Sequence, residues 1–251
     1  ALNVKKESDA YESDEQVLQY CEFQYGDEYF GVKNFAQECV KIASKFAKNQ
    51  KKALDLGCAT GRATFELAQS FDEVEGIDSS ARFIGVGVKL KSEGYVAFSS
   101  KTEGDLVQKK KVTIEELGYE NLKERVSFWQ GDACNLKPNF NSYDLVLAAN
   151  LIDRLYNPRL FLENIGERLE SDGVLVLTSP YTWQESSTKK EFWLGGYKDE
   201  SGKEIKTIDT LKEIFGNEFE LIHLQDLEFV IKETARKFQH SVAEVSVWRK
   251  T

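Results

Sequence analysis

The 251 residues contain no methionine, two histidines, and four cysteines without a C-x-x-C pair. A structural zinc or iron centre needs several such ligands close together, so His223 and His240 argue against one and no metal site is expected. The scattered thiols Cys21, Cys39, Cys58 and Cys134 suit a reducing, cytoplasmic setting, the first three as buried small apolar groups. Positive charge is in deficit, 33 Lys and Arg against 42 Asp and Glu. At a net charge of −9 neither nucleic acid nor an anionic membrane is an expected partner. The cluster Lys109-Lys110-Lys111, soon followed by Glu115 and Glu116, reads as a solvated loop. No apolar run approaches the roughly 20 residues of a membrane helix. The polar opening, with six charges in residues 1–14, has no secretory pattern. The missing methionine, at position 1 as elsewhere, is expected of a domain cut from a longer chain.

What is present begins with Leu54-Asp55-Leu56-Gly57-Cys58-Ala59-Thr60-Gly61-Arg62. This reads as a buried strand that stops at a glycine turn and restarts as a helix, the layout of a cofactor loop at the carboxyl end of a sheet strand. A dinucleotide fingerprint would place glycine where Ala59 stands. Asp55, two residues before the first glycine, would repel a pyrophosphate and suit a ligand carrying an ammonium and a sulfonium. That favours S-adenosylmethionine.

Around this run the chain alternates. Strands are expected at 52–57, 73–78, 125–131, 143–149 and 173–179, and helices at 61–70, 80–92, 158–169 and 207–215. The fold class is therefore α/β: a Rossmann-like, doubly wound sheet with helices on both faces. Two strand-like runs at 218–226 and 241–249 close it as an antiparallel pair, for seven strands in all. Two amphipathic helices precede the sheet, with Ser13 and Gln16, then Asn34 and Gln37, placed as caps. Between them Tyr25 to Gly31 forms an aromatic loop, read either as helix packing or as part of a lid. Residues 94–124 read as polar and partly helical, and 180–206 as an aromatic connection of the length that often caps a site. The whole chain, 1–251, is one domain on this reading: a helical lid at 1–49, a cofactor core at 50–179, and substrate-side insertions at 180–206 and 227–240.

Acids recur at strand ends. Asp78 stands where a carboxylate binds ribose hydroxyls, with helix capping beside Ser79 or Ser80 as the alternative. Asp132 is suited to an adenine amino group, with the Ala133 N–H facing a ring nitrogen. Asn150 ends an apolar strand and so faces the pocket. Asp153 and Arg154 either pair with each other or touch substrate. An antiparallel last strand begins at the cofactor rim, which makes Arg236 and His240 candidate substrate contacts opposite Tyr181 and Trp183. A solvated face is the other reading of Arg236 and His240, and His223 reads as structural.

As a set, 54–62, 76–78, 131–133 and 144–150 resemble the successive motifs of class I S-adenosylmethionine-dependent methyltransferases. A narrower likeness covers nearly the whole chain. Trp129-Gln130-Gly131-Asp132-Ala133-Cys134-Asn135-Leu136, the run 147–155, Thr178-Ser179-Pro180-Tyr181-Thr182-Trp183, Trp193-Leu194-Gly195-Gly196-Tyr197 and the segment from Arg236 to Arg249 resemble the methyltransferase domain of ovothiol biosynthesis. In that family the domain is commonly the C-terminal part of a 5-histidylcysteine sulfoxide synthase and methylates an imidazole nitrogen of 5-thiohistidine. The resemblance implies cofactor binding by Asp55, Gly57, Cys58, Ala59, Gly61, Arg62, Asp78, Ser79, Asp132, Ala133, Asn150 and Leu151. It implies substrate binding by Tyr25, Tyr181, Trp183, Arg236 and His240, with Asn150, Tyr181 and His240 nearest the chemistry. The expected partners are a thiohistidine-like small molecule and an iron-dependent sulfoxide synthase, fused or separate. A methyltransferase for another small acceptor and a non-catalytic cofactor-binding module are the competing readings.

Overall fold

A computed structural model describes residues 13–251; the first twelve residues of the expected lid lie outside the described residues. Two helices come first. In α1 (Asp14–Tyr25) the Ser13 Oγ accepts from the Gln16 N–H at 3.3 Å, and in α2 (Phe35–Ser44) Asn34 Oδ1 accepts from the Gln37 N–H at 3.2 Å. Both caps stand where the side-chain oxygens permit them. The alternating core follows as β1 (Lys52–Leu56), α3 (Arg62–Leu67), β2 (Glu73–Asp78) and α4 (Ala81–Glu93).

The next stretch departs from expectation. Residues read as polar and partly helical form an antiparallel hairpin, β3 (Tyr95–Glu103) and β4 (Leu106–Thr113), before a 3-10 turn at Glu120–Arg125. Val96, Phe98 and Ser100 are buried in alternation, a period of two that the surrounding charges hide. The lysine cluster is on β4 and in no loop. Lys110 bonds Glu22 Oε1 at 3.0 Å and Asp27 Oδ2 at 2.8 Å, and Lys111 lies over the Tyr95 ring.

Then come β5 (Val126–Gln130), β6 (Tyr143–Ala149), α5 (Pro158–Ile165) and β7 (Leu169–Ser179). The connection after β7 holds only the short pair β8 (Tyr197–Lys198) and β9 (Glu204–Ile205), ahead of α6 (Thr207–Phe215). The chain closes with β10 (Phe219–Thr234) and β11 (Lys237–Lys250). These two run far longer than expected, so 227–240 continues the hairpin and is no separate insertion. Its tip is held where the Ala235 N–H donates to Thr102 O at 3.0 Å.

One seven-stranded sheet results, in the order β10-β11-β7-β6-β1-β2-β5, parallel from β7 to β5 and antiparallel in its last two strands. Side-chain alternation splits its core. Ala53, Leu145, Leu147, Val174, Val176, Val245 and Val247 face the helices α1, α2 and α3, while Leu54, Leu56, Val146, Leu175, Leu177 and Trp248 face α5 and α6. Strands buried on both faces are near-continuous apolar runs, which is why β1, β6 and β7 were legible.

Candidate active site

The carboxyl ends of β1, β2 and β6 open into one cavity roofed by α1 and α2. Its floor is the loop after β1. Gly57 and Cys58 donate their N–H groups to Ile77 O at 2.8 and 3.1 Å, and the Gly61 N–H returns to Cys58 O at 2.9 Å. Gly57 and Gly61 have φ of 74° and 92°, and a Cβ on either would lie within 2.8 Å of Leu151 Cδ1 or 2.6 Å of Phe128 Cε1. Glycine is required at both by conformation and by space.

Asp78 ties this loop to the next. One carboxylate oxygen accepts from the Ala59 N–H at 3.0 Å and the other from the Ser80 N–H at 2.9 Å. The α4 cap belongs to Ser80, whose Oγ accepts from the Phe83 N–H. Asp55 lies below, 1 % exposed, accepting from the Thr64 hydroxyl at 2.7 Å. Burial pushes its carboxyl up to about 7, with the charge of Asp78 adding to the rise and Thr64 opposing it. Burial likewise raises the Cys58 thiol and takes Cys21 to about 12 and Cys134 to about 11, so these sulfurs stay protonated near neutral pH.

The roof is a set of contacts that sequence reasoning missed. Gln19, Tyr20, Phe23 and Gln24 of α1 line the cavity. Gln24 also grips the floor: its Oε1 accepts from the Thr60 hydroxyl at 2.5 Å and the Arg62 N–H at 3.2 Å, and its Nε2 donates to Cys58 O at 3.4 Å. Phe23, Phe35 and Phe229 form an aromatic wall, their ring centroids 5.0–6.0 Å apart. The i, i+1, i+4, i+5 spacing of the α1 residues marks a helix face, yet nothing local says what that face covers.

Of the expected cofactor residues, Asp55, Gly57, Cys58, Ala59, Asp78, Ser79, Asn150 and Leu151 meet around this cavity. Asn150, at φ 50°, is fixed by Thr178, whose hydroxyl donates to Asn150 Oδ1 at 2.9 Å. Other residues point elsewhere. Gly61 shapes the loop from behind. Arg62 turns back into the protein, bonded to Glu66 at 2.9 Å and lying against the rings of Tyr25 and Tyr119. Asp132 is exposed and accepts from the Cys134 N–H and the Tyr156 hydroxyl, and Ala133 lines a neighbouring hollow.

The expected substrate residues are also outside the lining. The Tyr25 hydroxyl donates to Thr60 O at 2.8 Å, tying α1 to the glycine loop. Tyr181 donates to Glu244 at 2.6 Å and Trp183 to Thr207 at 3.0 Å. His240 pairs across the strands with Val230, so alternation puts it on the face opposite Phe229 and Ile231, half exposed, 3.8 Å from Glu228. Arg236 is exposed at the hairpin tip. The last two strands do reach the cavity, through Phe229 and Ile231 rather than Arg236 and His240, because the hairpin's length and parity set which residues face inward. Asp153 and Arg154, left open by sequence, are both in the lining.

A family model described as "Methyltransferase domain" matches residues 32–224, more than half of the chain. The chain belongs to that methyltransferase family. It is 30% identical over 136 residues to a probable S-adenosylmethionine-dependent methyltransferase, CRG1, of Saccharomyces cerevisiae, a match covering 53% of this chain. The chain spans 37% of that relative's length. Solved structures share the fold. Magnesium protoporphyrin IX methyltransferase (ChlM) from Synechocystis PCC 6803, with bound SAM, aligns at TM-score 0.57 and 14% identity over 100% of both chains. The N-methyltransferase NodS from Bradyrhizobium japonicum WM9, in complex with S-adenosyl-L-homocysteine, aligns at TM-score 0.53 and 14% identity, over 93% of this chain and 98% of its own. S-adenosylmethionine is the cofactor of this methyltransferase, and the cavity's chemistry fits it. Three acids, Asp55, Asp78 and Asp153, meet one guanidinium, that of Arg154, which suits a cationic ligand and opposes a pyrophosphate.

Proposed function

We propose that this methyltransferase acts on an imidazole nitrogen of a small amino acid, 5-thiohistidine, as in ovothiol biosynthesis. The observation that carries the reading is the union, in one cavity, of the acid-lined loop with the aromatic wall of Phe23, Phe35 and Phe229. The choice of thiohistidine draws on the whole-chain likeness to the ovothiol domain. On this reading Asp78 accepts from the ribose hydroxyls, Asp55 sets a negative potential, and Gly57 and Ala59 let the ligand approach the backbone. Asn150 and Leu151 bound the site from β6.

S-adenosylmethionine supplies an electrophilic methyl group on a sulfonium, so the protein's work is alignment and exclusion of water. The aromatic wall covers a flat heterocycle and keeps water from the reacting atoms. Helices α1 and α2 act as the lid. A neutral imidazole is nucleophilic near neutral pH, and the protein selects the nitrogen by holding the ring in one orientation. The chain works fused to, or beside, an iron-dependent sulfoxide synthase that makes the thiohistidine precursor.

Mass spectrometry of products after incubation with S-adenosylmethionine and 5-thiohistidine, histidine or unrelated imidazoles tests the proposal. The expected result is one methyl added to a ring nitrogen of 5-thiohistidine. Turnover of another acceptor with none of 5-thiohistidine overturns it.

A further inference from the structure

Asp153 is fully buried, yet it lines the cavity. Its Oδ2 is fully engaged, accepting from the Thr182 N–H at 3.1 Å and the Thr182 hydroxyl at 2.9 Å. Its Oδ1 has no hydrogen-bond partner among the described residues. An acceptor oxygen buried without a donor is costly, and a ligand donor entering from the cavity would complete it.

The neighbouring side chain has the opposite character. Arg154 also lines the cavity, and its guanidinium is 4.0 Å from Asp153 Oδ2. Nη2 donates to Thr182 Oγ1 at 2.9 Å and Nη1 to Thr182 O at 3.4 Å. The Thr182 hydroxyl thus accepts from Arg154 and donates to Asp153, fixing acid and base side by side. The planar guanidinium keeps further N–H donors beyond those two bonds.

We propose that Asp153 and Arg154 together hold the head group of a zwitterionic α-amino acid: Asp153 Oδ1 accepts from its ammonium, and Arg154 donates to its carboxylate. A lone acid would select any amine, and a lone guanidinium any acid. The pair at one wall requires both charges on one small molecule. The inference rests on the reading above that the acceptor is a small amino acid, and it adds that the head group is what the site selects. The two residues are positioning residues, acting on the head group and not on the transferred methyl.

The test is calorimetry on protein saturated with S-adenosylhomocysteine, which binds without turnover. The probes are 5-thiohistidine and L-histidine, each beside its decarboxylated amine. Each amino acid is expected to bind at least tenfold tighter than its amine. Asp153→Asn, which can still accept from Thr182 but puts an amide in place of the unpartnered oxygen, is expected to weaken amino-acid binding at least tenfold and S-adenosylhomocysteine binding far less. Arg154→Gln is expected to abolish the preference for amino acid over amine. If Asp153→Asn no longer binds S-adenosylhomocysteine, the Arg154 variant and the ligand pairs decide alone. Equal binding of amine and amino acid, or no binding of either amino acid, overturns the head-group site. Preference for histidine over histamine without affinity for 5-thiohistidine overturns the thiohistidine reading alone. Tight 5-thiohistidine binding with no head-group preference does the reverse.

Discussion

Two carboxylates on neighbouring strands carry different loads. Asp78 joins the Ala59 and Ser80 N–H groups and so shapes the pocket as well as facing it. Asp78→Ala is expected to weaken S-adenosylmethionine by about 1–3 kcal/mol through loss of a half-buried acceptor, read by calorimetry, with circular dichroism unchanged. Asp55 acts through its charge. Its carboxyl moves from 3.8 in the ordinary state to about 7 in the fold, so the folded protein holds a proton that the unfolded chain releases. Stability therefore falls as pH rises from about 4 to about 7, and the loss persists above that. The thermal midpoint of ligand-free Asp55→Asn should exceed that of wild type at pH 8, with a margin that shrinks toward pH 4. A cationic ligand favours ionised Asp55, so affinity for S-adenosylmethionine should rise through pH 7 in wild type and stay flat in the variant.

At the scale of elements, α1 decides the geometry of the cavity. It meets the glycine loop through Gln24 and Tyr25, and it meets both hairpins through Glu22. The Glu22 carboxylate accepts from the Tyr29 hydroxyl at 2.5 Å and from Lys110 of β4, with Lys232 of β10 at 3.8 Å. One helix thus fastens the floor of the cavity to both hairpins. Gln24→Ala leaves the Thr60 hydroxyl and the Arg62 N–H without their buried acceptor. It should cost about 1–3 kcal/mol in a urea titration. Hydrogen exchange should quicken at Arg62 more than at the central strand β6.

For the whole molecule, the sheet supplies rigidity and helices α1 and α2 supply the pocket's second half. Leu147 on β6 is fully buried among Val176, Ala53 and the helices of one face. Leu147→Ala should destabilise the fold by about 2–5 kcal/mol, measured as a lowered denaturant midpoint, because a cavity opens beneath the site. Among the described residues no helix is long and apolar enough to cross a membrane.

Local sequence determined the central sheet, the glycine turn and the strand-end acids Asp55 and Asp78, because buried parallel strands and left-handed turns demand particular residues at particular places. The hairpin β3–β4 escaped that reading because its alternation is diluted by lysines, of which Lys110 pairs with the distant acids Glu22 and Asp27. Tertiary structure alone decided that Arg62 turns inward to lie against Tyr119, that His240 lies on the outer face of a long hairpin, and that Asp153, in the cavity lining, keeps a buried oxygen without a partner. Side-chain direction in each case depends on partners far away in the chain: Tyr119 against Arg62 and Glu66 for the first, strand register for the second, Thr182 for the third. A motif names the residues that form a turn; only the packing around it names those that face a ligand.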